Sequence, residues 1–167
     1  MHITEENLKE IFLESGLVTE EDFVAARDES HRSNQSIPNI LIGMGLVPED
    51  YYAELISPYY GVPVVNLKKE TIEQEVVELI PESYAKSNNI VVFVYDKEKQ
   101  IVKLAMLDPF DYETIEFVRT KLGVWVEPYL TMQPSLRYGL KHYNKKIGMK
   151  FDEIISENVE QSLVVAD

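Results

Sequence analysis

Apolar positions in the first sixty residues recur at helical spacing. Leu8, Ile11 and Phe12 stand at i, i+3 and i+4, the stripe of a helix with one buried face. Thr4 precedes them as a cap, Glu5 and Glu6 occupy the positive end of the helix dipole, and Ile3 and Leu8 have the spacing of a hydrophobic staple. Gly16 supplies a left-handed residue that closes this helix, with Leu17 folding back onto it. Thr19 then opens a second helix with Val18 and Phe23 as its staple pair. Residues 37–50 echo residues 8–21, so that Gly16 falls on Gly45, Phe23 on Tyr52 and Ala26 on Leu55. Each copy reads helix, Gly-Leu-Val turn, helix, with Pro48 opening the last helix and Tyr52 in its staple position. Residues 1–60 are thus expected to form a four-helix module of two helix-turn-helix repeats. The polar stretch 31–35 joins the copies, the turn Leu and Val residues lie in the core, and Ser57-Pro58 ends the last helix.

After Gly61 the period changes. Val62–Leu67 is a short β-branched run, followed by short helices over Thr71–Leu79 and Pro81–Ser87, with Pro81 in a first turn. Ile90–Tyr95 and Ile101–Leu107 read as two strands of a hairpin around the charged turn 96–100. Asp108–Asp111 caps a helix through Leu122 that Gly123 ends, Val124–Leu130 is a further strand, and Thr131 or Pro134 opens a helix to about Tyr143. The fold class is therefore α+β: the helical repeat, then an α+β module over 61–146 with a sheet of three to four strands and helices on one face. Residues 147–167 are expected to add an amphipathic helix over Met149–Val159 and a linker.

Composition narrows the chemistry. The chain has 167 residues, no cysteine and a formal net charge of -13. That charge argues against nucleic acid and against anionic membrane surfaces, since both need clustered Lys and Arg. The N-terminus is acidic where a secretory signal is basic, and the longest strongly apolar run, Ile90–Val94, falls far short of the roughly 20 residues of a membrane span. A cytoplasmic protein without direct membrane insertion is expected. No GxxxxGK[ST] loop is present, Gly43-Met44-Gly45 reads as a helix end, and the three histidines have no ligand spacing, so no metal is expected. Asp108 and Asp111 read as helix caps, and Tyr51, Tyr52, Tyr59 and Tyr60, at helical spacing, as core, with an aromatic binding platform as the alternative. No constellation supports catalysis.

The repeat and the second module together resemble the N-terminal domain of type II secretion and type IV pilus assembly ATPases. The resemblance rests on the two repeats, on Gly61–Leu67, on Leu79-Ile80-Pro81-Glu82-Ser83-Tyr84-Ala85, on Ala105-Met106-Leu107-Asp108-Pro109-Phe110-Asp111, on Gly123, and on Leu140 with Tyr143. It implies a domain that precedes an ATPase motor and docks it to the cytoplasmic parts of inner-membrane assembly proteins. The chain stops about where the linker to the motor begins, so it is either a shortened form or a free-standing adaptor derived from the domain.

A branch of that family, the MshE-like N-terminal domain, binds cyclic diguanylate through two copies of a motif that begins Arg-Leu-Gly and ends in Gln. Carried over, the first Arg-Leu-Gly becomes Asn7-Leu8-Lys9 and the second Ser36-Ile37-Pro38, while the closing glutamines become Ser30 and Tyr59. Apolar positions such as Ile11 and Phe12 are kept, and the nearby cations are chiefly Lys9, Arg27 and Arg32. Losing bidentate arginine contacts worth about 1.5–3 kcal/mol each removes several powers of ten in affinity. The expectation is a docking or regulatory domain with no cofactor; a divergent cyclic diguanylate sensor is the alternative.

Overall fold

Three of the first four helices open on a hydroxyl. In the computed structural model, which describes residues 3–143, Thr4 Oγ1 accepts the Asn7 N–H at 3.2 Å and starts α1, Glu5–Glu14. Thr19 Oγ1 accepts the Asp22 N–H at 3.1 Å, while the Asp22 carboxylate accepts the Thr19 N–H at 3.0 Å. This reciprocal box starts α2, Glu20–Ser33. Ser36 Oγ accepts the Asn39 N–H at 3.3 Å and starts α3, Ile37–Gly43. The fourth helix, α4, Glu49–Tyr60, opens at Pro48 with no side-chain cap. Gly16 and Gly45 follow α1 and α3 at φ +73° and +75°, a conformation that costs an L residue with a Cβ about 1–2 kcal/mol.

Three expectations about this half are corrected. Residues 31–33 continue α2, supported by an Arg32–Glu29 ion pair at 3.1 Å, and the helix ends at left-handed Asn34. Ser57-Pro58 does not end α4. Pro58 lacks the N–H that would reach the Glu54 carbonyl, and the Ser57 hydroxyl donates to that carbonyl instead, at 3.1 Å. Leu17 is 41% exposed and does not fold back onto α1, whereas Val18 and Val47 are buried and Leu46 is half-buried.

The second half is a mixed three-stranded sheet in the order β1-β2-β3, with β1 Ile90–Asp96, β2 Ile101–Met106 and β3 Trp125–Leu130. The expected hairpin is present: β1 and β2 are antiparallel, with a bulge between Val92 and Val94. Strand β3 lies parallel to β2, reached through helix α7, Tyr112–Leu122. Asp111 caps α7 by accepting the Thr114 N–H at 3.1 Å, and Gly123 at φ +64° ends it. Short helices α5, Gln74–Val77, and α6, Glu82–Asn88, precede the sheet, with Pro81 as the capping residue of α6. Helix α8, Gln133–Leu140, follows it.

Val62–Leu67 is not a strand. Pro63 has no N–H to pair, and the segment makes one parallel bridge, Val64 to Leu130, before a 3-10 turn at Leu67–Lys69. Four consecutive residues of β1, Ile90–Phe93, are buried. Since neighbouring strand residues face opposite sides, the sheet is covered on both faces there and not on one. On one of those faces Gly139 of α8 approaches so closely that a Cβ would meet Leu67 Cδ1 at 2.5 Å and Val91 Cγ2 at 3.2 Å.

Two clusters of buried side chains result, one among α1–α4 and one around the sheet. Leu130, at the end of β3, packs into the helical cluster with Val62, Val64 and Met132 beside it. The Val65 N–H donates to Leu130 O at 2.9 Å and the Leu130 N–H to Pro63 O at 2.8 Å. Ser135 Oγ accepts the Leu67 N–H at 2.8 Å and lies 2.6 Å from Thr131 Oγ1, which donates to Val65 O. This buried polar set fixes the connecting segment and with it the placement of the repeat on the sheet. The expected helix and linker over 147–167 lie outside the described residues.

Candidate functional site

The apolar positions matched to the binding motif by resemblance are core. Phe12 is fully buried, and its ring stacks on Tyr52 of the second copy at 5.7 Å and 12°, with Phe23 6.5 Å away. Ile11, Ile37 and Pro38 are buried and Leu8 is half-buried against the same cluster. These positions hold the two copies together, so they are side chains a ligand would have to displace.

Most of the matched polar positions have other roles. Asn7 is exposed and donates its backbone N–H to the Thr4 cap. Ser36, at the place of the second arginine, caps α3. Ser30 Oγ donates to Gln35 O at 2.6 Å, closing the chain reversal after α2. Tyr59, at the second glutamine position, is exposed. Each cation is already paired: Lys9 with Glu20 at 2.7 Å, Arg27 with Asp28 at 3.4 Å, Arg32 with Glu29 at 3.1 Å. The Lys9 hydrogen bond and charge hold Glu20 below the ordinary carboxylate range. Residues 1–60 carry twelve Asp and Glu against three Lys and Arg. The surface that would meet an anionic dinucleotide is therefore acidic, and its cations are screened by neighbouring carboxylates.

The tyrosines divide between core and surface. Tyr52 is buried, and burial followed by the nearby Tyr60 pushes its phenol up to about 12. Tyr60 is half-buried against Phe110 at 4.8 Å, and its phenol is raised by burial and then by the Asp108 charge. Tyr51 and Tyr59, expected in the core, are exposed. Asp108 and Asp111 are turn and cap residues as expected: Asp108 Oδ1 accepts the Phe110 N–H at 3.0 Å, and Asp111 caps α7.

Two clefts lie among the described residues. One of about 160 Å³ lies between α4 and the connecting segment, lined among others by Asp50, Glu54, Asn66 and Lys69; it is smaller than the roughly 300 Å³ at which small-molecule pockets begin. The other, about 410 Å³ and open, is lined by Gln100, Arg119, Thr120, Gly123, Val124 and Trp125. Its arginine is committed to Glu116 at 2.8 Å. Among the described residues, no group of three or more His, Asp or Glu side chains is placed to hold a metal ion, and no helix is long and apolar enough to cross a membrane.

Comparison with known proteins agrees with this architecture. The profile of the MshEN domain matches residues 60–147. The chain is 33% identical over 142 residues to the type IV pilus assembly ATPase PilB of Thermus thermophilus, an alignment covering 84% of this chain and 16% of that protein. It is 23% identical over 150 residues to PilB of Myxococcus xanthus, covering 90% of this chain and 26% of the relative. It thus spans between 16% and 26% of the length of these relatives. Among solved structures, one described as MshE with cdg superposes with a TM-score of 0.63 at 21% identity, covering 80% of this chain and 96% of that one. The N-terminal domain of XpsE superposes with a TM-score of 0.56 at 20% identity, covering 86% and 98%. At these identities the structural likeness speaks to the fold.

Proposed function

The chain belongs to the MshEN domain family, and on that footing we propose that it is a non-catalytic docking and regulatory region of a type IV pilus or type II secretion ATPase. In this reading it lies in the cytoplasm, peripheral to the inner membrane. It ties the motor to cytoplasmic parts of the membrane assembly proteins. The similarity to two PilB ATPases supports the setting.

The observation that carries docking over dinucleotide sensing is the fate of the motif. Ser36 caps α3, Ser30 closes the turn after α2, and Lys9, Arg27 and Arg32 are bound to carboxylates. Recruiting one of these cations to a phosphate first breaks an existing pair, so its net gain is small.

Calorimetric titration of the 167-residue chain separates the readings. Cyclic diguanylate is expected to bind no tighter than about millimolar, because the charge-assisted contacts are missing. Cytoplasmic segments of the inner-membrane assembly proteins are expected to bind at micromolar strength. Micromolar cyclic diguanylate binding abolished by Arg27→Ala or Arg32→Ala would establish the sensor instead, and failure of every assembly segment to bind would remove the docking reading.

A further inference from the structure

Helix α7 presents a face that neither the repeat nor the capping chemistry uses. At about 100° per residue, its outward positions run Tyr112, Glu116, Thr120, Glu113, Phe117, an aromatic ring on each flank with carboxylates between. All five are exposed, Tyr112 at 65% and Phe117 at 39%. Each ring is backed by others. Phe110 stands 6.2 Å from Tyr112 and is itself packed on Tyr60 of α4, while Tyr84 of α6 stacks on Phe117 at 3.9 Å and 21°. The turn that carries Phe110 is held by Asp108, and the helix start by Asp111. A pre-positioned aromatic face of this kind pays little ordering entropy when a partner arrives.

The charge around the face is mostly negative. The segments 54–61 and 108–118 contain no Lys or Arg, and Lys86 of α6, the helix that brings Tyr84, is paired with Glu82 at 2.6 Å. Beyond these segments Arg119 is bound to Glu116, and exposed Lys121 stands one turn past Phe117. Glu113 has no hydrogen bond or ion pair among the described residues. A second copy of this acidic chain is a poor occupant, because like charge would meet like.

We propose that this face of α7 docks a cationic amphipathic segment of a partner protein, with Lys or Arg side chains over Tyr112 and Phe117 and against Glu113. The aromatic faces attract the cations, the carboxylates pair with them, and apolar residues of the segment cover the ring edges. The inference rests on the docking reading above and names the face and the partner chemistry.

The test titrates the 167-residue chain with a short amphipathic peptide of arginine and leucine, and with the same peptide carrying neutral citrulline for arginine. The arginine peptide is expected to bind at least about tenfold tighter than the citrulline one. Tyr112→Ser is expected to weaken it about fivefold with an unchanged melting temperature, and Phe117→Ser similarly. Glu113→Lys should weaken it more, whereas Glu21→Lys, the same charge change on α2, should alter it by less than about twofold. Equal effects of Glu21→Lys and Glu113→Lys would show that net charge alone draws the peptide and would overturn the proposal, as would wild-type affinity in Tyr112→Ser. Applied to the assembly-protein segments, the same variants separate the two levels. Binding that ignores Tyr112→Ser and Glu113→Lys removes the α7 face and leaves docking standing; no binding to the unmodified chain removes docking itself.

Discussion

Phe12 in the first copy of the repeat and Leu41 in the second are equivalent, and both are completely buried. Asp22 and Tyr51 are equivalent too, yet one is half of a capping box and the other an exposed ring. The same split runs through the module. Gly16 and Gly45 share one left-handed conformation, and Val18 and Val47 are both buried. By contrast, Ser30 closes a turn where its counterpart Tyr59 faces outward, and Lys9 forms an ion pair where Pro38 is buried. Positions under steric or conformational constraint have one solution and keep it in both copies. Positions free of those constraints differ between the copies, and those matched by resemblance to the polar residues of the ligand motif are among them.

The shared frame breaks hardest at its centre. Phe12→Ala is expected to cost about 3–5 kcal/mol and Leu41→Ala about 2–5 kcal/mol, transfer and cavity contributions together. Phe12 belongs at the upper end because it carries the stack on Tyr52 as well as its own burial. Urea denaturation followed by circular dichroism reads both. A Leu41→Ala cost below about 1 kcal/mol would mean the second copy collapses onto its cavity and is not the mechanical equal of the first.

The glycine turns come next. Gly16→Ala and Gly45→Ala should each cost about 1–2 kcal/mol, and they should cost the same. No atom lies within 4 Å of a Cβ built at either site, so backbone conformation alone sets the penalty. A difference of more than about 0.5 kcal/mol between them in the same denaturation experiment would show that one turn relaxes where the other does not.

These constraints also explain what could be read from the chain beforehand. Helix starts at Thr4 and Thr19, the left-handed glycines, the hairpin of β1 and β2 and the cap at Asp111 are local devices, and their sequence signals sit within a few residues of what they do. The parallel pairing of β3 with β2 and the single bridge at Val64 depend on partners far away in the chain, which no local pattern encodes. Helix α4 persists through Pro58, where the Ser57 hydroxyl donates to the carbonyl that Pro58 leaves without an N–H. At the candidate site, the departure of Asn7, Ser36, Ser30 and Tyr59 from the motif's arginines and glutamines was legible residue by residue. The pairing of Lys9 was not, because Glu20 is on a different helix, whereas Arg27 with Asp28 and Arg32 with Glu29 are local pairs within α2. Nor was the exposed arc of α7, since aromatic residues at helical spacing read as core until the neighbouring elements are in place.

The smallest effect is the sharpest test of what separates the copies. Thr19→Ala removes the cap of α2 and should cost about 1 kcal/mol, whereas Pro48→Ala at the equivalent start of α4 loses no side-chain hydrogen bond and should stay within about 0.5 kcal/mol. The Thr19 effect also depends on pH. Hydrogen bonds from the Thr19 hydroxyl, and then from its backbone N–H, hold the Asp22 carboxyl below its ordinary 3.8. The folded chain therefore binds that proton less readily than the unfolded chain. The stabilisation is complete above about pH 4 and is lost as pH falls through the lower folded value. Protonation removes the carboxylate half of the box, while the Thr19 oxygen still accepts the Asp22 N–H, so the gap between wild type and Thr19→Ala should narrow in acid without closing. Measuring that gap at pH 6 and at pH 3 cancels the other carboxylates, which titrate alike in both proteins. A gap that stays constant, or widens in acid, would show that the reciprocal carboxylate adds nothing to the cap. The functional contrast between the copies would then rest on the outward tyrosines alone.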